Sequence, residues 1–528
     1  MDIKLALPQY PPVPSFTVET RPKQVKEWLD ALPLANSQDA GRKLADAITT
    51  INSIKLGDEA RLKLLEFYRG AALMLLPALQ QQYAGKPLPL PEKNRHAAVL
   101  TRELLSELAN GYKLVLLDLI SRRISFGTNK FVSLAVARAI ECLGAILNVC
   151  YEIYGPTPAG IWAELHQLYG YAARQNLHEL PIAEGEKTGI NDLYKQVLLI
   201  ALADPYHLLQ GQLADVREYL ARFGQYALLQ PLGKTENTHG LFLVRLDDDK
   251  PPKALAQHSG VTDARTDIML NTVPLARVLH QHVQALDANT PFTKLGLPQA
   301  ARQPSYREML KRLIKQWGIT PKRMFNRTPA RNRMFICGGI SSLHRALSQD
   351  DRHDTPDAAA ETHITLQVSD GLQSTGSQQT FNCTRWQVMN ESAGGVALAK
   401  EPDSYAKIKV GDIIGVGTDK SGGWGVAIVR WMQSNTGDNL DLGAQMLAPQ
   451  AEAIAIKPLI SAPDALFQPA LLLPEVAALK QPARIVAPRG SFQPLREFEV
   501  RTQKGVTASV RATQLIEQTD SLDLFFFS

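Results

Sequence analysis

The spacing of apolar residues changes along this chain from a helical to a strand-like period, and that change limits the fold more than any other feature. From Arg21 to about Tyr226 apolar residues recur every three or four positions, as in Leu62, Leu64, Leu65, Tyr68, Ala71, Ala72, Met74 and Leu75. That is the period of helices burying one face. After Arg333 the pattern becomes strand-like almost to the end, punctuated at Gly338-Gly339, Gly394-Gly395, Ser421-Gly422-Gly423 and Thr436-Gly437-Asp438, where turn formers let the chain reverse. At 528 residues the chain also exceeds the roughly 250 to 300 that a single core supports.

The expected fold class is therefore α+β and multidomain. Residues 1–226 read as an all-helical bundle or solenoid, 227–320 as a mixed connector, 321–450 as a small β-barrel and 451–528 as a further β module, a degenerate second barrel being one reading. Ser37 is placed as the cap of a helix to Asn52, and Gly155-Pro156 as the end of the helix through Phe131. Around Leu241 to Arg245 the period of two predicts a strand pair. A helix then starts near Thr272, with Pro274 in its first turn. Ser305 and Glu308 have capping-box spacing ahead of a helix to Trp317, with Met309, Leu310, Leu313, Ile314 and Trp317 on its apolar face. The segment 348–363, rich in aspartate, reads as a surface loop.

Four scattered cysteines, Cys142, Cys150, Cys337 and Cys383, give neither a disulfide framework nor a zinc pair. With no secretory pattern at Met1 to Pro14, a cytoplasmic setting is expected. The stretch Phe131 to Tyr154 is apolar, but Arg138, Glu141 and Glu152 would be costly at bilayer depth, so no transmembrane span is expected. Catalysis is not expected either. Ser341-Ser342 beside His344 lacks an orienting acid, and Gly415-Val416-Gly417 lacks the Lys-Ser or Lys-Thr ending of a phosphate loop and reads as a hairpin. His353, Asp354 and His363 lack regular ligand spacing, and His280 and His282 point to different helix faces, so no metal is expected. Asp248-Asp249 reads as solvated loop, and Trp386, Trp424 and Trp431 as strand residues used in packing.

Two further features carry chemistry. Arg307, Lys311, Arg312, Lys315, Lys322, Arg323, Arg327, Arg331 and Arg333 form a basic run with Glu308 as the local acid. Downstream, Asn390-Glu391-Ser392-Ala393-Gly394-Gly395 combines an amide, a hydroxyl and two glycines, residues suited to a tight turn and close approach by a ligand. Guanidinium forks match phosphate oxygens and the O6 and N7 edge of guanine.

Together these elements resemble the signature of PilZ domains, in which two nearby arginines precede an Asn-x-Ser-x-x-Gly element. Here Arg327-Thr328-Pro329-Ala330-Arg331 matches the first part, and Asn390, Ser392 and Gly395 the second; Val410 to Ile414 and Trp424 to Trp431 resemble later strands of that barrel. The resemblance spans about residues 323–450. It implies a receptor for cyclic di-GMP, with Arg327, Arg331, Asn390, Ser392 and Gly395 as ligand residues, Arg323 as the reserve arginine, no cofactor besides this ligand, and signalling towards motility, pili or surface polysaccharide. The two parts lie about sixty residues apart, a longer gap than is usual in that family. A protein partner is expected to dock on the helical region. Two other readings stay open: the basic run tracking an RNA or DNA backbone, and an adaptor with this fold and no ligand.

Overall fold

The computed structural model describes residues 3–10, 18–121, 129–182, 188–233, 235, 237–318, 327–350, 383–401, 407–417, 423–434, 439–460, 465–475 and 481–528. The chain divides into two compact units, Met1–Lys86 with Leu90–Lys322, and Pro87–Pro89 with Arg323–Ser528.

The first unit opens with eight α-helices among the described residues: α1 (Pro22–Asp30), α2 (Ser37–Ser53), α3 (Asp58–Tyr83), α4 (Glu92–Ser121), α5 (Asn129–Glu152), α6 (Ile161–Arg174), α7 (Ile190–Leu202) and α8 (Gln212–Phe223). Helix α4 packs on α2, α3 and α5, and α5 also packs on α6 and α7. Helix α5 has the length and composition to cross a membrane, yet 78% of its most apolar stretch is buried inside the unit. Its charges are partnered: Glu141 pairs with Arg69 at 2.8 Å, and Arg138 lies 3.3 Å from Glu141 and 3.5 Å from Glu66. It is a core helix whose ionic groups neutralise one another at the α3–α5 seam. Asn36, not Ser37, caps α2 by accepting from the Asp39 N–H at 3.3 Å, because its side chain reaches the free amides of the first turn.

Four antiparallel strands follow, β1 (Leu228–Pro231), β2 (Leu241–Arg245), β3 (Lys253–Ala254) and β4 (Asp267–Asn271), in the order β1-β4-β2-β3, then α9 (Val273–Asp287) and α10 (Pro304–Gly318). A full sheet replaces the expected strand pair. Leu241 to Val244 are all buried, because both faces of this sheet are covered. The expected capping box does not form: Pro304 takes the first position of α10, so Ser305 already lies inside the helix. The pair Asp248-Asp249 is not simply solvated loop, since the Asp249 carboxylate accepts from the N–H groups of Gly160, Trp162 and Ala163 at 2.6, 3.1 and 3.1 Å. It caps α6, where free amides and the helix dipole favour an anion.

The second unit is two barrels. In the first, β6 (Arg333–Gly338), β7 (Cys383–Ser392), β8 (Gly395–Lys400), β9 (Ile413–Gly417), β10 (Gly425–Ser434) and β11 (Leu440–Ala448) close the ring β6-β7-β8-β11-β10-β9, with the two-residue β5 (Thr328–Pro329) paired outside it on β7. Trp386 fills its interior at 0% exposure. The second barrel, β12 (Glu452–Pro458), β13 (Gln468–Leu473), β14 (Arg484–Pro488), β15 (Glu497–Thr502), β16 (Thr507–Gln518) and β17 (Leu522–Phe527), closes as β12-β13-β14-β17-β16-β15. Counted from their own first strands, both barrels have the neighbour order 1-2-3-6-5-4.

One helix breaks the expected run of strands. After Gly339, which takes φ of +83°, a conformation glycine adopts at little cost, α11 (Ile340–Asp350) begins. It carries Ile340, Leu343 and Leu347 at helical spacing. These residues join one apolar cluster with Ile413, Val426 and Ile428 of the first barrel and Leu471, Leu473, Val486, Leu522 and Leu524 of the second. A separate cluster around Ile454, Phe498 and Phe525 fills the second barrel.

Candidate functional site

The two halves of the sequence motif meet. Strand β5 runs antiparallel to the end of β7, with Thr328 opposite Glu391 and Pro329 opposite Asn390. The Ala330 N–H donates to the Met389 carbonyl at 3.3 Å, and the Val388 N–H to the Asn332 carbonyl at 2.8 Å. Arg327 and Arg331 therefore flank a short strand whose partners are Asn390 and Glu391. From Thr328 this segment is a paired edge of the sheet.

Asn390 and Ser392 do not sit at the turn itself but within β7, whose hairpin to β8 turns through Ala393-Gly394 with Ser392 opposite Gly395. A bulge precedes them. Val388 is paired with Leu398, whereas Asn390 is paired with Ala397, leaving Met389 as an extra residue. Val388 faces the barrel interior with Trp386. The bulge breaks the register with β8 just ahead of Asn390, and Asn390 and Ser392 are half-buried beyond it. Glu391, one position between them, is exposed.

The side chains are available. Arg327 and Arg331 are exposed, and neither makes a hydrogen bond or ion pair among the described residues; the Asn390 amide is half-buried and likewise unpaired there. The Ser392 hydroxyl donates to the Gly395 carbonyl at 3.3 Å, leaving its lone pairs free to accept. Arg333 is held at 2.8 Å by Glu401, and Arg385 lies over the Phe335 ring at 5.2 Å, so neither competes on equal terms for an incoming anion. The arrangement offers two guanidinium groups that have no partner among the described residues, flanking a strand paired with the one that carries an amide and a hydroxyl, a set suited to phosphate and guanine edges.

Three expectations change. Neither Gly394 nor Gly395 has positive φ; glycine is needed at 395 because a Cβ there would fall 2.3 Å from the Ala444 carbonyl oxygen of β11. Its place in the motif has a packing cause. The basic run is not one field: Arg307 pairs with Asp287 at 3.2 Å, Lys311 with Glu308 at 2.9 Å, and Arg312 donates to the His207 carbonyl at 2.6 Å, all inside the first unit. Folding brings acceptors from distant sequence to that helix. Arg323 and Lys322, the loop 351–363 with His353, Asp354 and His363, and the Ser421-Gly422 and Thr436 to Asp438 turns lie outside the described residues. Among the described residues no three His, Cys, Asp or Glu gather as a metal site. Trp386 is buried as expected, while Trp424 packs only partly against the apolar cluster and Trp431 is half-buried.

The second barrel has the same connectivity without this equipment. Its first strand is preceded by Pro449-Gln450-Ala451, with no arginine.

Comparison with known proteins accords with this division into a helical domain and two barrels. Family models described as the N-terminal domain, the middle PilZ domain and the C-terminal β-barrel domain of the cyclic-di-GMP receptor FimW match residues 23–234, residues 241–363 with 345–453, and residues 454–528. The cyclic-di-GMP receptor FimW of Pseudomonas aeruginosa is 26% identical over 527 residues, covering 90% of this chain and 85% of that protein. No solved structure matches. With three successive models matching residues 23–234, 241–453 and 454–528, this chain belongs to the PilZ-domain cyclic di-GMP receptor family.

Proposed function

We propose that this chain is a cytoplasmic, non-enzymatic receptor in which the first barrel holds cyclic di-GMP between Arg327 and Arg331 on one side and Asn390 and Ser392 on the other. The observation that carries the reading is the pairing of β5 with β7, with Thr328 opposite Glu391 and Pro329 opposite Asn390. The ligand has two phosphates and two guanines. Arg327 and Arg331 grip phosphate or the guanine edge, Asn390 donates or accepts through its unpaired amide, and Ser392 accepts. Recognition needs positioning alone, and no bond is made or broken.

Coupling to output is part of the same proposal. Residues 319–326 join α10 of the first unit to Arg327, so a ligand that holds Arg327 acts at the connection between the two units. A ligand that binds one arrangement of that connection better than another shifts the population towards it. The helical unit would then present a changed surface to a protein partner controlling motility, pili or surface polysaccharide. Partition of the basic residues disfavours the nucleic-acid reading, because Arg307, Lys311 and Arg312 of α10 already have acceptors within their own unit.

Calorimetry of the full chain with cyclic di-GMP, GTP and a single-stranded oligonucleotide tests the proposal. Saturable binding of cyclic di-GMP, with GTP and oligonucleotide at least tenfold weaker, is expected. Equal affinity for the oligonucleotide with steep salt dependence would overturn it in favour of a backbone-tracking protein, and no binding of any of the three would leave an adaptor.

A further inference from the structure

Two free cysteines sit side by side on neighbouring strands of the first barrel. Cys337, buried on β6, is directly opposite Cys383, exposed on β7. The hydrogen-bond pattern fixes which kind of pair this is. The Val388 N–H donates to the Asn332 carbonyl, so in the unbroken register of β6 with β7 the even-numbered β6 residues bond towards β7 and the odd ones do not. The Gly339 N–H accordingly donates to Ile413 at 2.9 Å, on the β9 side, and Cys337 is paired on that side with Gly415. Cys337 and Cys383 therefore form a non-hydrogen-bonded antiparallel pair. In such pairs the Cα atoms are about 4.5 Å apart and the side chains lean together, within the range that a disulfide spans.

We propose that Cys337 and Cys383 are a reversible cross-strand dithiol–disulfide site that staples β6 to β7 when a low-molecular-weight disulfide is the oxidant. Their contact also sets the order of reaction. The Cys337 S–H donated to Cys383 lowers the Cys383 thiol below its ordinary range, while that hydrogen bond and burial raise Cys337. Exposure and thiolate character both make Cys383 the attacking sulfur. Its thiolate attacks one sulfur of the small disulfide, forming a mixed disulfide and releasing one thiolate. Cys337 then loses its proton to solvent and attacks the Cys383 sulfur, expelling the second thiolate. Two protein thiols lose two electrons and two protons, and the reagent is reduced to two thiols.

The staple lies on the outer face of the strand that carries Asn390 and Ser392, seven residues upstream of Asn390, or about 24 Å along an extended strand. The inference rests on the β6–β7 register and does not depend on the nucleotide reading. The other two cysteines provide an internal control. Cys142 and Cys150 are buried eight residues apart on α5, so they are about 12 Å apart along the helix, beyond bridging distance.

The test is to equilibrate the full native chain across ratios of oxidised to reduced glutathione, quench in acid, cap remaining thiols with N-ethylmaleimide under denaturing conditions and map the peptides. Capped thiols are expected to fall from four to two per chain as a Cys337–Cys383 linked peptide accumulates, with full return after dithiothreitol. In Cys383→Ser, which alters an exposed position, no linked peptide forms and Cys337 stays capped. Cys337→Ala is expected to trap glutathione on Cys383. Capture of both thiols by maleimide at the most oxidising ratio, or wild-type Cys383 carrying glutathione while Cys337 stays capped, would overturn the proposal.

Discussion

Removing either free arginine beside Asn390 should weaken cyclic di-GMP binding without unfolding the chain. Arg327 and Arg331 are exposed and unpaired among the described residues, so Arg327→Ala or Arg331→Ala breaks no ion pair there, and surface changes of this kind usually alter stability by less than about 0.5 kcal/mol. In the complex each guanidinium would make at least one charge-assisted hydrogen bond, worth about 1.5–3 kcal/mol. At about 1.4 kcal/mol per decade, each variant should raise Kd by roughly 10- to 100-fold. The wild-type interaction need be no stronger than about 8 kcal/mol for micromolar binding, so losses of this size are readable by calorimetry. Thermal melting of each variant, expected within a degree or two of wild type, separates lost binding from lost fold. Arg333→Ala serves as the internal comparison, because Arg333 is already engaged by Glu401 and should change affinity by less than about threefold. If Arg327→Ala and Arg331→Ala both bind as wild type does, the guanidinium pair is not the anion grip and the reasoning from β5 fails.

Other expectations follow from the same coordinates. Ser392→Ala should cost less affinity than either arginine; a greater loss would mean that the hydroxyl is the principal contact. Gly395→Ala should lower the thermal midpoint of the second unit by forcing β8 away from Ala444, an overpacking cost of about 1–3 kcal/mol, and an unchanged midpoint would show that the two strands can part freely. Lys113 and Glu164 pair at 3.0 Å with side chains only 5% and 11% exposed, so Lys113→Met should destabilise the helical unit by about 3–5 kcal/mol, while Lys113→Met with Glu164→Leu should recover much of the loss in urea unfolding. Burial, with a smaller push from Glu218, raises Asp215 to about 6. Because its folded pKa lies above the unfolded one, its contribution is most favourable below about pH 4 and is lost as pH rises through about 6. Asp215→Asn should therefore raise the midpoint of the helical unit at pH 7.5 and leave it unchanged near pH 4; an equal shift at both values would assign the effect elsewhere.

Element type was legible wherever one face of a segment is buried, as in α3 and α5, because apolar spacing records burial directly. The site was legible as residue types, not as geometry. The bulge at Met389 breaks the β7–β8 register just ahead of Asn390, and one extra residue leaves no mark in composition. Helix α11 was hidden because Gly338-Gly339 read as a turn within strand text, although Ile340, Leu343 and Leu347 held a helical period. Partners set by tertiary folding were equally hidden. The Asp249 carboxylate finds α6, and Asp287 finds Arg307, across stretches of chain that no local pattern connects.

The apolar cluster around α11 makes the two barrels inseparable as building blocks. Ile340 and Leu343 draw partners from both rings, so a chain cut between residues 448 and 452 would strip Leu471, Leu473, Val486, Leu522 and Leu524 from around them and present raw hydrocarbon to water. A nucleotide-binding fragment made by excision at that point would be sticky and poorly ordered. The last barrel, which has no arginine ahead of its first strand, would earn its place as the lid on its neighbour's oily underside.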